Sequence, residues 1–329
     1  MFTKSISTFL FVRNLNIKMK TTTSIDLLSE QGRQQFFASF DNVLTDCDGV
    51  LWMLNQVIHG APDVMNGFKS NGKKVFYVTN NSTKTQTQLL EKFTNLGFKA
   101  SKNDIISTSF LAAKYLKSNL DPSKKVYVIG SPAIASELNE VGVNHFGVGP
   151  DYLQSSVPTF VENVQLEENV GAVLVGFDEH FSYPKIFKAA SYLKDQSCLF
   201  VATNTDESFP VSGTKIIMPG TGSLVCTVKT CAGREPYVVG KPYSYIRKVL
   251  MDTYNIDPTR TIMIGDRCNT DILLGKRCGF KTLLVLTGVN TFEEIDKWSK
   301  SDDPELQELV PDYYAKSIAT LKATFPLPL

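Results

Sequence analysis

Residues 42–52 read Asn-Val-Leu-Thr-Asp-Cys-Asp-Gly-Val-Leu-Trp, so an apolar run ends in two carboxylates and a glycine. In a β-strand, alternate side chains point to the same side, which places Asp46 and Asp48 together and Cys47 opposite them. Two carboxylates roughly 6–7 Å apart along a strand repel each other unless a cation or a shared proton lies between them. Gly49 allows a tight turn directly after the strand, in the crevice where open α/β sheets bind ligands. The stretch therefore indicates either a metal or phosphate site or a solvated turn at a strand end.

The composition is that of an ordinary globular protein. The chain has 329 residues, of which 43% are apolar and 20% are charged, and its net charge is +1. This length is enough for one large or two ordinary domains with a buried core. No long basic run marks a nucleic-acid surface and no stretch approaches the ~20 apolar residues of a membrane span, so we expect neither partner. The six cysteines include no Cys-x-x-Cys pair, which favours reduced thiols over a disulfide framework or a zinc site.

The first 23 residues differ in character from the rest of the chain. They contain four basic residues and several hydroxyl residues, and no acid precedes Asp26. This composition is typical of a mitochondrial transit peptide, but a basic extension with an internal start at Met19 gives the same pattern. We favour the second interpretation and predict a cytoplasmic protein, with a mitochondrial location as the alternative. Residues 1–23 are excluded from the predicted fold.

Apolar strands alternate with helices along most of the chain. The predicted strands are residues 41–45, 74–79, 125–129, 170–175, 198–202, 237–240, 261–264 and 281–286, and the predicted helices include 24–40, 105–120 and 270–278. Strands separated by helices form parallel sheets that are covered on both faces. The alternation restarts near residue 122, and the first pattern resumes near residue 236. We therefore predict an α/β protein with a doubly wound parallel-sheet (Rossmann-like) core at 24–121 and 236–329, interrupted by a second α/β domain at 122–235.

Polar residues follow a second strand of the predicted core. Thr79, Asn80 and Asn81 offer a hydroxyl, two amides and backbone N–H groups just before a helix. This set suits the oxygens of a phosphoryl group. It is equally good loop and helix-capping chemistry, which leaves its function open.

Two more predicted strands end in charged residues. Lys241 follows one strand and precedes a proline, and Asp266 ends another, with Asp271 in the first turn of the next helix. A lone lysine at such a place is usually solvated, and Asp271 could simply complement the helix dipole. Each signal is weak when it is taken alone.

Together, the four strand ends resemble the haloacid dehalogenase superfamily of phosphatases. The four motifs of that superfamily match residues 46–51 (Asp-Cys-Asp-Gly-Val-Leu), Thr79, Lys241 and residues 265–266 with Asp271. The resemblance covers approximately residues 40–121 and 236–321, and it implies Mg²⁺-dependent phosphoryl transfer through an aspartyl-phosphate. A carboxylate that attacks a phosphate dianion needs a cation and a lysine to offset negative charge, and Mg²⁺ prefers oxygen ligands.

The resemblance also implies a role for each matching residue. It implies that Asp46 attacks phosphorus, and that Asp48 protonates the leaving group and then activates the hydrolytic water. Mg²⁺ is expected on the Asp46 carboxylate, the Asp48 backbone carbonyl and Asp266. Lys241 is expected to offset charge between nucleophile and phosphate, and Thr79 to bind the phosphoryl group.

Three supporting residues take their roles from the same resemblance. Asn80 and Asn81 are expected beside the phosphoryl group. Asp271 is expected behind the metal ligands, where it orients metal-bound water or Arg267.

The insert resembles the cap domain of the 4-nitrophenylphosphatases, a subgroup that includes phosphoglycolate phosphatase and pyridoxal phosphate phosphatase. The matching stretches are residues 175–183, 202–206, 220–223, 239–242, 265–267, 270–272 and 286–289. Residues 180–183 and 204–206, with 310–313 near the end of the chain, resemble the eukaryotic phosphoglycolate phosphatases more closely. The resemblance implies that His180 contacts substrate when the cap closes, and the alternative is a structural or capping histidine. Residues 207–210 do not match the family pattern, so the substrate-selecting loop is not assigned.

Several functions are compatible with these residues. The leading prediction is a phosphomonoesterase for small metabolites, with phosphoglycolate ahead of glycerol 3-phosphate, because a large cap that closes over the core rejects bulky substrates. The alternatives are a phosphatase for pyridoxal phosphate or phosphorylated proteins, a phosphotransferase such as a mutase, and a non-catalytic binding scaffold. A scaffold requires none of the charged strand ends and is therefore disfavoured. The predicted partner is a small phosphorylated metabolite, and if the chain self-associates we expect a homodimer through the cap.

Overall fold

A computed structural model describes residues 21–209 and 215–326 of the chain. Most of the basic extension, including the proposed internal start at Met19, lies outside the described residues. Among those that are described, no helix combines the length and the apolar character needed to cross a membrane.

Sixteen strands lie in the described part of the chain. They are β1 (Thr23–Ser24), β2 (Asn42–Thr45), β3 (Trp52–Met53), β4 (Gln56–Val57), β5 (Lys74–Thr79), β6 (Ile105–Ser107), β7 (Lys125–Ile129), β8 (His145–Phe146), β9 (Val170–Val175), β10 (Leu199–Ala202), β11 (Ser208–Phe209), β12 (Met218–Pro219), β13 (Tyr237–Val238), β14 (Thr261–Gly265), β15 (Lys281–Val285) and β16 (Tyr313–Ala315).

Twelve α-helices lie in the same residues. They are α1 (Glu30–Ala38), α2 (Ala61–Ser70), α3 (Gln86–Asn95), α4 (Thr108–Asn119), α5 (Pro132–Glu140), α6 (Val157–Asn163), α7 (Tyr183–Leu193), α8 (Thr221–Ala232), α9 (Tyr245–Tyr254), α10 (Leu273–Cys278), α11 (Phe292–Ser299) and α12 (Pro304–Glu308). Short 3₁₀ or π-helical turns cover Ile25–Leu27, Lys102–Asp104, Pro258–Arg260, Cys268–Ile272 and Ile318–Thr324.

Two parallel sheets organise these elements, as the alternation of strands and helices predicts. The first sheet has the strand order β1-β16-β15-β14-β2-β5-β6, and the second has the order β13-β10-β9-β7-β8. Neighbouring strands in both sheets run parallel, and helices connect most of them. The predicted α/β class and doubly wound parallel sheet are therefore confirmed.

Alternate residues of the central strands point into two different hydrophobic clusters. Val43 and Tyr77 pack with the aromatic side chains of α1, α2 and α3 on one face of the first sheet. Leu44 and Phe76 point to the other face, where the cluster continues through α4 and α5 into the second sheet. A third cluster covers the far face of the second sheet. The period-2 pattern of buried strands produces this division.

The strand before Lys241 belongs to the second sheet. The predicted core begins at residue 236, but β13 pairs with β10, so that Tyr237 lies opposite Val201 and Val238 opposite Ala202. The ladder continues past β13 through the backbone N–H of Val239, which donates to the carbonyl of Ala202 at 3.0 Å. The chain therefore leaves the second sheet only just before Lys241, and the division into domains at 235/236 stays a prediction.

Three predicted helices begin later than expected. The 105–120 segment starts with strand β6, which pairs with β5, and α4 begins only after it. The 24–40 segment starts with a 3₁₀ turn, and α1 begins after Ser29, whose hydroxyl accepts a hydrogen bond from the N–H of Gly32. The 270–278 segment opens in a π-helical turn. β-Branched residues such as Ile105 and Ile106 favour a strand where a sheet edge is available.

Candidate active site

Four of the residues predicted for chemistry lie together at the carboxyl edge of the first sheet. Asp46 follows β2 directly, Thr79 is the last residue of β5, and Asp266 follows β14. Because β5 and β14 flank β2 on opposite sides, the strand order changes direction at this point. Open α/β sheets bind ligands at such a switch point. Lys241 reaches the same place from the segment that follows β13.

Lys241 is the buried cation of the site. Its side chain is 2% exposed, and its Nζ lies 2.7 Å from Oδ1 of Asp46 and 2.8 Å from Oδ1 of Asp271. Nζ also donates to the carbonyl of Val78 at 3.1 Å. Burial alone would lower the pKa of Lys241, but the Asp271 and Asp46 carboxylates outweigh it and hold the pKa above its usual range. Lys241 therefore stays charged at every physiological pH.

Three carboxylates form a cluster around this ammonium. Asp46, Asp266 and Asp271 each place one oxygen within 4.8 Å of the others. Burial is the main cause that raises the pKa values of Asp266 and Asp271, and the charge on Asp46 raises both further. One lysine does not neutralise three carboxylates, so the cluster is electrostatically suited to a bound cation.

The backbone around Asp266 leaves space only for small groups. A Cβ atom on Gly49 would lie 2.3 Å from Oδ2 of Asp266, and one on Gly288 would lie 1.8 Å from the same oxygen. Gly49 also has a φ of 82°, which favours glycine. The N–H of Val289 donates to that oxygen at 3.0 Å and fixes the carboxylate. This cradle of hard oxygen donors, without sulfur or imidazole, fits a cation such as Mg²⁺.

Asp48 lies outside this cluster, on the turn that follows Asp46, and it is an exposed residue. Its Oδ1 accepts a hydrogen bond from the indole Nε1 of Trp52 at 2.9 Å. The pKa of Asp48 is raised because nearby protein atoms reduce the hydration of its carboxylate and because the Asp46 charge is close. A raised pKa favours the protonated form that a general acid needs.

The loop after β5 is fixed by its own hydrogen bonds. The buried hydroxyl of Thr79 accepts from the N–H of Asn81 at 3.1 Å. Oδ1 of Asn81 accepts from the N–H and the hydroxyl of Thr83, at 2.7 and 2.8 Å. The loop therefore has a defined shape at the sheet edge, as phosphate binding by backbone N–H groups requires.

Asn80 joins the second sheet to the first. Its Oδ1 accepts from the backbone N–H of Lys241 at 2.9 Å, and its Nδ2 donates to the carboxylate of Asp206 at 3.1 and 3.2 Å. Its carbonyl accepts from Asn204 and Thr108, both at 2.8 Å. The amide of Asn80 therefore positions Lys241 and Asp206, and the predicted place of Asn80 beside the phosphoryl group stays a prediction.

Arg267 contacts both Asp271 and the insert. Its backbone N–H donates to Oδ2 of Asp271 at 3.1 Å. Its guanidinium Nη1 lies 3.9 Å from Oδ1 of Asp206, whose pKa is raised by burial. The structure thus brings Arg267 to the edge of the site, beside a carboxylate supplied by the second sheet.

His180 is not brought into contact with this cluster. It lies in the loop between β9 and α7, and its N–H donates to Oδ1 of Asp178 at 2.8 Å. Asp178 also forms a fully buried ion pair with Lys185. In residues 21–209 and 215–326, no hydrogen bond or ion pair joins His180 to Asp46 or Lys241. Its contact with substrate stays a prediction.

Two residues of the site were not identified from the sequence, Trp52 and Asp206. Asp206 ends the matching stretch 202–206, and Trp52 directly follows the first motif at 46–51, so the resemblance was the available signal. Their partners could not be predicted, because Asp206 contacts a residue 126 positions away and the Trp52 indole could equally have been ordinary core.

Known proteins resemble the chain over most of its length. Two family models match it: "haloacid dehalogenase-like hydrolase" over residues 43–144 and "HAD-hydrolase-like" over residues 238–321. The chain is 47% identical to the glycerol-3-phosphate phosphatase of Gallus gallus over 286 residues, which is 86% of this chain and 91% of that protein. It is 39% identical to chronophin of Homo sapiens over 285 residues, 85% of this chain and 91% of that one.

A solved structure shares the fold. It is a glycerol phosphate phosphatase from Mycobacterium tuberculosis in complex with magnesium, with a TM-score of 0.69 and 25% sequence identity. The match covers 87% of this chain and 78% of that chain. The similarity therefore includes both parallel sheets.

Proposed function

The chain belongs to the haloacid dehalogenase-like hydrolases, and from that premise we propose that it is a Mg²⁺-dependent phosphomonoesterase for small metabolites, with glycerol 3-phosphate as its preferred substrate. The predicted family is confirmed by the two matching family models, and the chain is a phosphatase of that family. The observation that carries the proposal is the buried Lys241, held between the carboxylates of Asp46 and Asp271 at the switch point of the sheet.

In the first step, the Asp46 carboxylate attacks phosphorus. A bond forms between an Asp46 oxygen and phosphorus, and the bond from phosphorus to the alcohol oxygen breaks. Asp48 gives its proton to that oxygen, so the alcohol leaves neutral. Lys241 lies 2.7 Å from the attacking carboxylate and offsets the negative charge that accumulates there.

In the second step, water hydrolyses the aspartyl-phosphate. Asp48, now ionised, takes a proton from the water while the water oxygen bonds to phosphorus. The bond between phosphorus and the Asp46 oxygen breaks, which restores the carboxylate and releases inorganic phosphate. Thr79 and the loop after it would bind the phosphoryl oxygens in both steps.

The proposed metal ligands are the carboxylates of Asp46 and Asp266, together with the Asp48 carbonyl. When bound, Mg²⁺ supplies positive charge to the phosphoryl oxygens. Asp271 lies close enough to contribute an oxygen to the same cluster, but its ion pair with Lys241 favours the predicted supporting role. The magnesium-bound relative supports this choice of metal.

The choice of substrate rests on the relatives and on the insert. The Gallus gallus relative is named for glycerol 3-phosphate, which favours that ester over the phosphoglycolate ranked first from the sequence. We propose that the insert at 122–235 is a cap, because Asn204 and Asp206 reach the active-site loop. A carboxylate in that position repels an anionic leaving group such as glycolate more than it repels glycerol.

Release of inorganic phosphate by the purified protein tests the proposal. With Mg²⁺, we expect turnover of glycerol 3-phosphate to exceed that of phosphoglycolate and pyridoxal phosphate. Asp46→Asn should abolish turnover, while Asp302→Asn, which changes an exposed carboxylate, should not. Activity that survives Asp46→Asn would contradict the nucleophile, and a preference for phosphoglycolate would contradict the choice of substrate. Absence of phosphate release from every monoester would favour a binding scaffold.

A further inference from the structure

The side chain of Trp52 is buried against the proposed general acid. It is 1% exposed, and its indole Nε1 donates to Oδ1 of Asp48 at 2.9 Å. The backbone carbonyl of Trp52 accepts a hydrogen bond from the N–H of Gly49 at 2.8 Å. Two hydrogen bonds therefore connect Trp52 to the turn that carries Asp48. In the described part of the chain, no hydrogen bond joins Oδ2 of Asp48 to another residue.

The indole ring is fixed on several sides. The ring of Phe93 meets it edge-on with centroids 4.9 Å apart, and that of Phe98 does so at 6.1 Å. Nζ of Lys92 lies 4.1 Å from the indole centroid and donates to the carbonyl of Leu54 at 2.9 Å. A cation over an indole face is attracted to the ring, so Lys92 holds the ring without contacting Asp48 by a hydrogen bond.

We propose that Trp52 is a positioning residue for the reaction, which holds Oδ1 of Asp48 so that Oδ2 carries the transferred proton. This inference rests on the proposed phosphatase function and assigns a role within it. When the bond from phosphorus to the alcohol oxygen breaks, the proton moves from Oδ2 to that oxygen, and Asp48 becomes a carboxylate. The indole N–H keeps its acceptor through the step, and a hydrogen bond to an ionised acceptor is stronger than one to a neutral acceptor.

The basicity of the leaving group distinguishes this positioning role from simple packing. Glycerol leaves as a strongly basic alkoxide and needs the proton from Asp48, whereas 4-nitrophenolate is a weak base and leaves without it. General acid catalysis typically contributes 10²–10⁴-fold to a rate. Loss of a residue that only stabilises the fold lowers the rate for both esters equally. Loss of a residue that orients the general acid lowers the rate for the glycerol ester more.

The test is Trp52→Phe, which keeps an aromatic ring and removes the N–H. Rapid-quench measurement of alcohol released in the first turnover, with Mg²⁺, gives the rate of the first step alone. For glycerol 3-phosphate we expect a fall of roughly 10–100-fold with KM changed less than about threefold. For 4-nitrophenyl phosphate we expect a fall of less than about threefold.

Phe93→Leu is the matched control, because it disturbs the packing of the indole and keeps the N–H. It should slow both esters by similar factors. If Trp52→Phe does not fold, Trp52→Met, which also removes the N–H and fills the space with a flexible apolar side chain, replaces it and should show the same dependence on leaving group.

The outcomes are distinguishable. A fall that is equal for both esters, or absent from both, overturns the positioning role while the phosphatase function stands. A wild-type protein that releases alcohol from neither ester overturns the proposed function and the positioning role together.

Discussion

At the scale of single residues, Lys241 depends most on its neighbours, because its charged ammonium is buried. A buried ammonium is tolerated because two carboxylates and a carbonyl replace its water. Removal of this lysine leaves Asp271, which is completely buried, without its counter-charge. The stability of the fold and the chemistry of the site therefore depend on the same ion pairs.

Lys241→Met should destabilise the protein as well as inactivate it. Breaking a buried ion pair from one side costs roughly 3–5 kcal/mol in the free energy of unfolding. The loss should be larger at pH 8 than at pH 5, because at pH 5 the freed carboxyls take up protons. Urea denaturation at both pH values checks this. Lys117→Met, on an exposed helical turn, is the control, and equal losses for the two variants would contradict the prediction.

Asp266 provides a metal-dependent test at the same scale. Burial raises its pKa, so the folded state keeps a proton that the unfolded state has released. In metal-free protein its contribution to stability is therefore lost as the pH rises from about 4 towards the raised pKa.

Asp266→Asn should accordingly stabilise the metal-free protein, by roughly 1–3 kcal/mol at pH 8 and by less at pH 5. Mg²⁺ should raise the melting temperature of the wild type and leave that of the variant unchanged. Thermal unfolding with EDTA or with Mg²⁺ measures both effects. An equal response of the two proteins to Mg²⁺ would show that Asp266 does not bind the metal.

At the scale of elements, apolar periodicity predicted most strands of both sheets. Residues 170–175 and 74–79, for example, form β9 and β5 with the expected bounds. The membership of β13 in the second sheet was not predictable, because pairing with β10 depends on tertiary contacts rather than on local pattern. The hairpin of β3 and β4 was also missed, since two-residue strands carry little periodicity.

The same limit explains which parts of the site could be predicted. Asp46, Thr79 and Asp266 end strands of one parallel sheet, so their convergence follows from topology. The hydrogen bonds that connect Asn80 to Lys241 and Asp206 form at a loop where the two sheets approach each other. Such contacts between distant segments leave no periodic signal in the sequence.

A buried carboxylate joins helix α5 of the insert to helix α3, which contacts the first sheet. Oε1 of Glu137 accepts the N–H of Gln86, the first residue of α3, at 2.7 Å. This N–H has no partner within its own helix, so Glu137 acts as an added cap.

Glu137→Ala should therefore lower the free energy of unfolding by about 1–2 kcal/mol, and Glu137→Gln, which keeps an acceptor, by less. Urea denaturation followed by circular dichroism measures the difference. Glu140→Ala, one turn along α5 at an exposed ion pair, should change stability by less than about 0.5 kcal/mol. A similar loss for Glu140→Ala and Glu137→Ala would show that helix propensity, not the cap, is responsible.

At the scale of the whole molecule, the two sheets share one hydrophobic cluster. Leu44 and Phe76 of the first sheet and Val126 and Leu174 of the second belong to it, with Ile134 of α5 between the sheets. A continuous core favours a single cooperative unit over two domains that unfold separately. If the insert moves as a cap, it must do so without separating this cluster.

Ile134→Ala tests whether the sheets unfold together. The side chain is completely buried, and truncation of such an isoleucine costs about 2–5 kcal/mol. If the molecule is one unit, native-state hydrogen exchange should show the same loss of opening free energy in β5 and in β9, because both exchange through global unfolding. Leu27→Ala, at an exposed apolar residue, should leave both unchanged. A loss confined to β9 would mean that the second sheet opens by itself, and cap motion could then proceed by local unfolding rather than as a rigid body.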